Sequence, residues 1–397
     1  MSARPPLMPP APARGGRPWI FGSLWLAAAA FLLLIGALPT SAAPKPLAQG
    51  DPIPVLANYY IWFDPTSWDR AKTDYPVLGR YSSDEKQVMR QHIEWAKGAG
   101  IDGFIVSWKS TPALNRRLSK LVEVAKAEDF KLAIMYEGLD FDRQPLPVDQ
   151  ISLDMDYFTR QYGDNKVFDI FGKPLVIWSG TWEFSRDQVA GVTTPLRDRL
   201  LILASEKNVE GYQRLADVVG GDEYYWSSVN PETGGYQEKL DAMAEAVHAQ
   251  GGLWIAPAAP GFDARLVGGT SVVDRKDGET LRLEVDAAIN SSPDAVGLIS
   301  WNEFSENTYI EPSQDYGTRY LEVLADILGG TAPVATGFDS SEPAGAGANY
   351  SLPVLGGLAG LIVVGLAVVV RRRGRTNGTT PMPGKGQEDN GLSRTAL

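Results

Sequence analysis

The chain has 397 residues, with 37 Lys and Arg against 48 Asp and Glu, and its formal net charge at pH 7 is -11. This acidic balance disfavours nucleic acid and other polyanions as partners and suits neutral ligands such as glycans. The chain contains no cysteine and two histidines. Thiol nucleophiles and cysteine zinc sites are therefore excluded, and a Ser-His-Asp triad or a histidine metal pair is disfavoured.

The N-terminal segment has the pattern of a secretory signal. Arg14 and Arg17 precede an apolar run at residues 19–38, and small residues follow at 41–43. We expect residues 1–43 to be a signal peptide cleaved near Ala42 or Ala43, or an uncleaved N-terminal anchor.

The C-terminal segment has the pattern of a membrane anchor. Residues 331–351 are rich in Ala, Gly, Ser and Pro and predict a flexible stalk. Residues 352–370 are uncharged and apolar, and as a helix they would be about 28 Å long, enough to cross the hydrocarbon core. Arg371–Arg373 and Arg375 open a basic tail at 371–397, which the positive-inside rule places in the cytoplasm. The sequence thus predicts a single-pass protein of the cell membrane with an extracytoplasmic domain.

Between these ends, residues 51–330 alternate between β-rich runs and helical patterns. The strands are expected at residues 57–62, 103–108, 131–136, 174–178, 200–204, 222–226, 253–257 and 296–301. Helices with apolar residues at three-to-four spacing are expected at 84–99, 113–127, 149–162, 236–250 and 280–290. This alternation predicts one (β/α)₈ barrel, with a doubly wound open sheet as the alternative.

Aromatic residues and carboxylates recur where the expected strands end. In a barrel these ends meet at one face, where a cleft lined by aromatic rings would hold the apolar faces of sugars. The residues expected to contact substrate there are Tyr59, Tyr60, Trp62, Trp108, Tyr136, Glu137, Trp178 and Trp226. Core packing is the competing interpretation for any single tryptophan.

The end of the last strand carries the strongest chemical signal. Trp301 and Asn302 come directly before Glu303, and Glu306 follows three residues later. Acetal hydrolysis needs an acid for the leaving oxygen and a second carboxylate for the developing positive charge. A helical turn after the strand would place both glutamates on one face. Trp301 is a further expected sugar platform, and Asn302 is expected to hydrogen-bond a sugar hydroxyl or fix a glutamate; the alternative is a pair of solvated surface carboxylates.

Several segments resemble glycoside hydrolase family 99, the family of endo-α-mannosidases and endo-α-mannanases. They occur in the family's order at residues 75–83 (YPVLGRYSS), 103–108 (GFIVSW), 136–137 (YE), 256–263 (APAAPGFD) and 300–306 (SWNEFSE). The last resembles the family's Asn-Glu-Trp-x-Glu motif, with Phe304 in place of the Trp and Ser305 in place of a frequent His.

The resemblance implies a retaining, endo-acting hydrolase of α-mannose-containing glycans. It implies that Glu303 is the base for the substrate's own 2-hydroxyl and that Glu306 is the general acid/base. Neither a metal ion nor an organic cofactor is expected, and the expected partner is an oligosaccharide or polysaccharide. Two other functions remain open: a catalytically silent glycan-binding module, and a double-displacement glycosidase that uses Glu137 and Glu303 as opposed carboxylates.

Overall fold

The computed structural model describes residues 52–70 and 72–332. Eight parallel strands close into a barrel in the order β1-β10-β7-β6-β5-β4-β3-β2. The barrel strands are β1 (Val55–Tyr60), β2 (Gly103–Trp108), β3 (Lys131–Glu137), β4 (Leu175–Ser179), β5 (Leu201–Ala204), β6 (Gly221–Glu223), β7 (Leu253–Ala258) and β10 (Ala295–Leu298). The predicted (β/α)₈ barrel is confirmed. The open sheet is wrong, because β1 pairs with both β2 and β10.

Helices connect the strands and cover the outside of the barrel. They are α1 (Lys86–Gly98), α2 (Pro112–Ala127), α3 (Val148–Tyr162), α4 (Arg186–Thr193), α5 (Val209–Leu215), α6 (Tyr236–His248), α7 (Glu279–Asn290) and α8 (Arg319–Leu328). The five expected helices all form, with ends shifted by at most two residues. Helices α4, α5 and α8 were not among the helices predicted from the sequence.

The strands are buried on both faces, as expected for parallel strands covered by helices. Every residue of β1 and β2 is buried. One layer of apolar side chains fills the barrel interior, and it includes Leu56, Ile105, Met135, Ile177 and Ile255. A larger cluster packs the outward faces of the strands against the helices. This arrangement leaves the carboxyl ends of the strands, and the loops that follow them, to form a site.

A short antiparallel hairpin interrupts the connection between β7 and α7. It pairs β8 (Phe262–Asp263) with β9 (Val272–Val273). The backbone N–H of Asp263 donates to the carbonyl oxygen of Glu306 at 2.8 Å. The hairpin therefore supports the loop that carries both predicted catalytic glutamates.

The expected signal or anchor at 1–43, the apolar span at 352–370 and the tail at 371–397 lie outside the described residues, as does the stalk beyond residue 332. Within the part of the chain that the structure describes, no helix has the length and apolar character needed to cross a membrane.

Candidate active site

A tight loop after β10 carries Glu303 and Glu306. The N–H of Ser300 donates to the carbonyl of Thr308 at 2.8 Å, and the hydroxyl of Ser300 accepts the N–H of Glu303 at 2.8 Å. Residues 304–307 form a turn, and Asn307 has a φ of 54°. The expected helical turn is therefore wrong, because local hydrogen bonds fold this segment into a compact loop. Both glutamates are nevertheless buried, at 6% and 1% exposure.

Of the two carboxyl groups, that of Glu303 has the surroundings more favourable to a negative charge. Its Oε1 accepts the N–H of Ser305 at 2.9 Å, and Lys72 lies close by, with Nζ 3.3 Å from the Ser305 hydroxyl. Burial raises the pKa of Glu303 to about 6, although the Ser305 N–H and the charge of Lys72 counteract part of the rise. Glu303 is therefore ionised at neutral pH and is basic enough to accept a proton.

Glu306 has the opposite character. Neither of its carboxyl oxygens has a hydrogen-bond partner among the described residues. Burial, and then the charge of Glu303, raise the pKa of Glu306 well above its ordinary value, while Arg143 counteracts the rise. The environment therefore disfavours the anion of Glu306 and favours its protonated form. Neighbouring carboxyl groups with pKa values pushed apart can act as an acid and a base.

Glu137, at the end of β3, is the third carboxyl group of the site. Its Oε1 accepts the hydroxyl of Ser107 at 2.6 Å. Burial raises the pKa of Glu137, and the charges of Lys109 and Arg143 lower it. The charge of Glu137 in turn raises the pKa of Glu303 and Glu306. The structure therefore brings the predicted carboxyl residues of the third and eighth barrel strands into one site.

Two tyrosines border the glutamates. The hydroxyls of Tyr60 and Tyr225 are 2.6 Å apart. Burial raises the pKa of both phenols, and the charges of Glu303 and Glu306 add to the rise. Tyr60 was expected at the site, whereas Tyr225 was not. Tyr225 lies two residues after β6, within the run at 222–226 that was predicted to be a strand. This position near a strand end was the sequence signal that could have identified it.

Asn302 has a different position from the one expected. Its Oδ1 accepts the N–H of Tyr60 at 2.8 Å, and its Nδ2 donates to the carbonyl of Tyr60 at 3.0 Å and the hydroxyl of Tyr81 at 3.2 Å. The side chain is fully buried. Asn302 therefore fixes the backbone at the end of β1 and the phenol of Tyr81, and it does not itself hold a sugar hydroxyl or a glutamate.

Most of the expected sugar platforms belong to the protein core, which corrects their assignment. Five of them have side chains that are at most 2% exposed, namely Tyr59, Trp108, Tyr136, Trp178 and Trp301. They pack against neighbouring elements: the hydroxyl of Tyr136 binds Asp154 at 3.0 Å, and the ring of Trp301 lies 5.3 Å from that of Phe104. These rings point outward from the barrel, where the helices cover them.

Trp226 and Trp62 differ from one another. Trp226 is 7% exposed, and its ring lies between Tyr236, at a centroid distance of 5.5 Å, and the ammonium of Lys239, at 3.4 Å. The ring is packed against these neighbours and is nearly buried, so the expected role of Trp226 as a platform is also corrected. Trp62 is only partly buried, and its ring lies 4.3 Å from that of Tyr60. Trp62 therefore remains a candidate platform beside the site.

The two histidines are hydrogen-bonded within the fold. His92 lies between the hydroxyl of Tyr59 and a carboxylate oxygen of Glu311, at 3.0 Å from each, and His248 lies 3.0 Å from Asp294. Among residues 52–70 and 72–332, no group of three or more His, Cys, Asp and Glu side chains is arranged to hold a metal ion.

Comparison with known proteins identifies the family. The profile of glycosyl hydrolase family 99 matches residues 45–324. The chain belongs to glycosyl hydrolase family 99. It is 23% identical over 287 residues to the human glycoprotein endo-alpha-1,2-mannosidase-like protein, in a match that covers 64% of this chain and 61% of the relative. The chain thus matches less than two thirds of that relative's length.

Solved structures show the same fold. The family 99 endo-alpha-mannosidase from Bacteroides thetaiotaomicron, in complex with Bis-Tris propane, is 20% identical with a TM-score of 0.62 and covers 70% of this chain and 97% of its own. A glycoside hydrolase-like protein is 18% identical with a TM-score of 0.56, covering 72% and 97%. The chain is thus a family 99 barrel, similar to endo-α-mannosidases.

Proposed function

We propose that the protein is a retaining, endo-acting hydrolase of α-mannose-containing glycans, with Glu303 as the base and Glu306 as the general acid/base. The observation that carries the proposal is the contrast between the two glutamates. Glu303 has a pKa of about 6, whereas Glu306 has no hydrogen-bond partner among the described residues and a pKa well above its ordinary value. One buried site at the carboxyl ends of the strands thus holds a base and an acid.

In the first step, the substrate's own 2-hydroxyl is the nucleophile. The O2 and leaving group of an α-mannoside can lie trans-diaxial, so O2 can attack C1 from the opposite side. The carboxylate of Glu303 accepts the proton of O2 as the O2–C1 bond forms. The bond from C1 to the leaving oxygen breaks, and Glu306 gives that oxygen its proton. The products are a 1,2-anhydro sugar and the released glycan.

In the second step, water opens the anhydro sugar. Glu306, now ionised, accepts a proton from water as the water oxygen attacks C1 and the O2–C1 bond breaks. Glu303 returns its proton to O2. Two inversions at C1 give net retention of configuration. Each glutamate then has its starting protonation, and one water has been consumed for each bond cleaved.

Three neighbours support this chemistry. The phenols of Tyr60 and Tyr225 stay protonated beside the carboxyl pair, so they can donate hydrogen bonds to substrate oxygens. Trp62 offers a partly exposed ring for a sugar face. Glu137 lies within electrostatic reach of both catalytic groups and would orient a sugar hydroxyl.

A double-displacement mechanism is the second candidate, because Glu137 and Glu303 share the site. In that mechanism one of them attacks C1 directly and forms a glycosyl ester. The hydrogen bond from Ser107 to Glu137 and the poising of Glu303 as a base favour the route through O2.

A 2-deoxy-2-fluoro mannosyl donor with an activated leaving group distinguishes the two mechanisms. This donor lacks the attacking oxygen, so the proposed enzyme neither turns it over nor becomes labelled. A double-displacement enzyme accumulates a covalent ester, which intact-protein mass spectrometry detects as one added sugar. A stable adduct on Glu303 or Glu137 would overturn the proposed route.

Hydrolysis itself is tested with defined α-manno-, α-gluco- and mixed oligosaccharides. Internal cleavage with α-configured products supports an endo-acting retaining hydrolase. Binding to these glycans without turnover would instead support a catalytically silent glycan-binding module.

The proposal also includes a location. The apolar span at 352–370 and the arginines directly after it favour a single-pass protein of the cell membrane. The catalytic domain would then lie outside the cytoplasm, where a glycan substrate is accessible.

A further inference from the structure

Four basic side chains lie in the loops at the catalytic face of this acidic protein. Lys72 is in the loop after β1, Lys109 directly follows β2, Arg143 is in the loop after β3, and Lys207 is in the loop after β5. Strands β1 to β5 are consecutive neighbours in the barrel. These four residues, called here the basic arc, therefore follow one side of the site.

The basic arc reaches the reacting groups. The charge of Lys72 lowers the pKa of Glu303, and the charge of Arg143 lowers that of Glu306. Lys207 and the site tyrosine Tyr225 line one small cavity, together with Trp182, Tyr224 and residues after β4 and β5. A substrate that fills the site therefore meets the arc.

Two lysines of the arc lie over aromatic rings. Nζ of Lys109 is 4.9 Å from the ring centre of Phe141, a side chain that is 58% exposed. Nζ of Lys207 is 4.0 Å from the ring centre of Trp182, which is partly buried. An aromatic face can hold the apolar side of a sugar ring, and an adjacent ammonium can bind an acidic substituent of that ring.

Two carboxylates near the arc have other partners. Glu206 accepts a hydrogen bond from the guanidinium of Arg214 at 3.0 Å. Asp140 accepts hydrogen bonds from the backbone N–H groups of Asp142 and Gln144, at 2.9 and 2.8 Å. Glu183 and Glu206 act on Lys207 only through their charge.

None of the ion pairs among the described residues includes the ammonium of Lys72, Lys109 or Lys207. Two of these lysines act on the carboxyl groups of the site, since the charge of Lys72 lowers the pKa of Glu303 and that of Lys109 lowers the pKa of Glu137. An anionic substituent on a bound sugar would therefore not have to displace a carboxylate from any of these three lysines.

We infer that the site selects glycans that carry an anionic group, a carboxylate or a phosphate ester, on a sugar close to the bond that is cleaved. Lys109 and Lys207 are the specificity-determining residues, each paired with an aromatic ring. This inference rests on the proposed hydrolase function and narrows its substrate class. It also corrects the expectation from net charge, because the charge around the site differs from that of the whole chain.

The test uses the full chain in detergent and three matched α-manno-oligosaccharides. One is neutral, one carries a 6-phosphate and one carries a uronic acid, each on the same unit next to the cleaved bond. We expect kcat/KM for at least one anionic substrate to exceed that for the neutral one by about tenfold, as a charged hydrogen bond allows. High salt should reduce the ratio. The two anionic arms distinguish phosphate from carboxylate.

Substitutions test whether the lysines of the basic arc cause the preference for anionic substrates. Lys109→Gln, Lys207→Gln and the double variant should reduce the ratio of anionic to neutral kcat/KM toward one. Lys126→Gln is the matched control, since Lys126 is an exposed residue in the last turn of α2, at the opposite end of the barrel. It should leave the ratio unchanged.

A ratio of one or less for both anionic substrates in the unaltered protein would overturn the inference and leave the proposed function intact. If none of the substrates is cleaved, the proposed function fails. Direct titration of the same three glycans then tests the inference by itself. Tighter binding of an anionic glycan that Lys109→Gln and Lys207→Gln abolish supports it, and equal binding overturns it.

Discussion

Glu303 and Glu306 are three residues apart, yet their surroundings differ in the hydrogen bonds that they provide. Glu303 accepts a hydrogen bond from a backbone N–H and lies near a lysine, whereas the oxygens of Glu306 have no hydrogen-bond partner within residues 52–70 and 72–332. We expect Glu306→Gln to lower kcat/KM for natural glycans by roughly 10²–10⁴-fold, but by less than about tenfold for substrates with an activated leaving group, because such a group departs without a proton.

Glu303→Gln is the matched comparison. It should reduce turnover of both kinds of substrate by a similar factor, since the attack of O2 on C1 needs a base whatever group departs. Steady-state kinetics on one natural and one activated substrate measure both variants. Small and equal losses from the two substitutions would show that neither glutamate takes part in the reaction.

We expect the charge of Lys72 to influence the pH at which kcat/KM rises on the acid side of its profile. The basic form of Glu303 is required, so kcat/KM should rise with pH through about 6, and it should fall again at higher pH as Glu306 loses its proton. The charge of Lys72 lowers the pKa of Glu303, so Lys72→Met should raise that pKa. The acid limb should therefore move to higher pH.

The pH dependence of kcat/KM, measured for Lys72→Met beside Lys126→Met, checks this expectation. An acid limb that stays in place in Lys72→Met would show that Glu303 is not the group that titrates there.

At the residue scale, the sequence predicted the carboxyl groups better than the aromatic ones. Glu137, Glu303 and Glu306 could be located because a strand end places its next residue at the catalytic face. The direction of an aromatic ring depends on strand register, and one residue separates the inside of the barrel from its outside. Tyr59 therefore contacts His92 in the outer packing, whereas Tyr60 reaches the site.

At the scale of elements, one arginine connects the β8-β9 hairpin to the catalytic loop. Arg275 donates from Nη2 to the carbonyls of Asn307 and Tyr309, at 2.9 Å each, and lies 4.5 Å from the ring centre of Tyr309. We expect Arg275→Met to destabilise the fold by roughly 2–4 kcal/mol and to lower activity, because it leaves buried carbonyls unpaired beside the glutamates.

Urea unfolding and kcat measure the two effects of Arg275→Met. Arg282→Met is the control, because its ion pair with Asp326 lies at the surface, where such pairs contribute little. If Arg275→Met unfolds at the same urea concentration as the unaltered protein, the arginine does not hold the loop.

Strand β6 places a carboxyl group inside the barrel. Glu223 is fully buried, and burial raises its pKa from an ordinary 4.5 to about 8, although Asn58 counteracts part of the rise. The folded state therefore binds the proton more tightly than the unfolded state. The contribution of Glu223 to stability is complete below pH 4.5 and declines as pH rises to about 8.

Glu223→Gln should remove this decline. The unaltered protein should lose up to about 5 kcal/mol of unfolding free energy between pH 4.5 and 8 through this one group, and the variant should lose correspondingly less. Urea titrations at several pH values compare the two slopes. Parallel slopes would mean that Glu223 is not protonated in the fold.

The elements also show where sequence patterns fail. The expected strands at 222–226 and 296–301 are shorter in the structure, ending at Glu223 and Leu298. Their continuations resemble strand but leave the sheet: Tyr225 reaches the site, whereas Trp226 and Trp301 pack in the core. Helix α4 was missed because it spans eight residues, although Ser185 and Gln188 form a capping box at its start.

For the whole molecule, the alternation of strands and helices was sufficient to predict the barrel, because parallel strands with helical crossovers leave few ways to bury every apolar face. Net charge was a poorer guide. The net charge of -11 gave no indication of the basic arc at the catalytic face, because composition contains no information about which loops lie together in the fold.

The fold also indicates where the catalytic domain ends. Helix α8 buries Tyr320, Leu321 and Leu324, and beyond it the N–H of Thr331 donates to the carbonyl of Gly98 at 2.7 Å. A chain of residues 44–332 should therefore fold, remain soluble without detergent and keep kcat/KM within about twofold, since the closed barrel leaves no strand edge unpaired. The full chain should fractionate with membranes.

A chain of residues 44–318 is the matched control. It lacks α8, exposes the apolar surface that α8 covers, and should aggregate or unfold at lower temperature. Membrane fractionation, size-exclusion chromatography and activity measure the three forms. If residues 44–332 aggregate while the full chain is active, the catalytic domain needs parts of the chain outside the barrel; if the full chain stays in the soluble fraction, the predicted anchor at 352–370 is wrong.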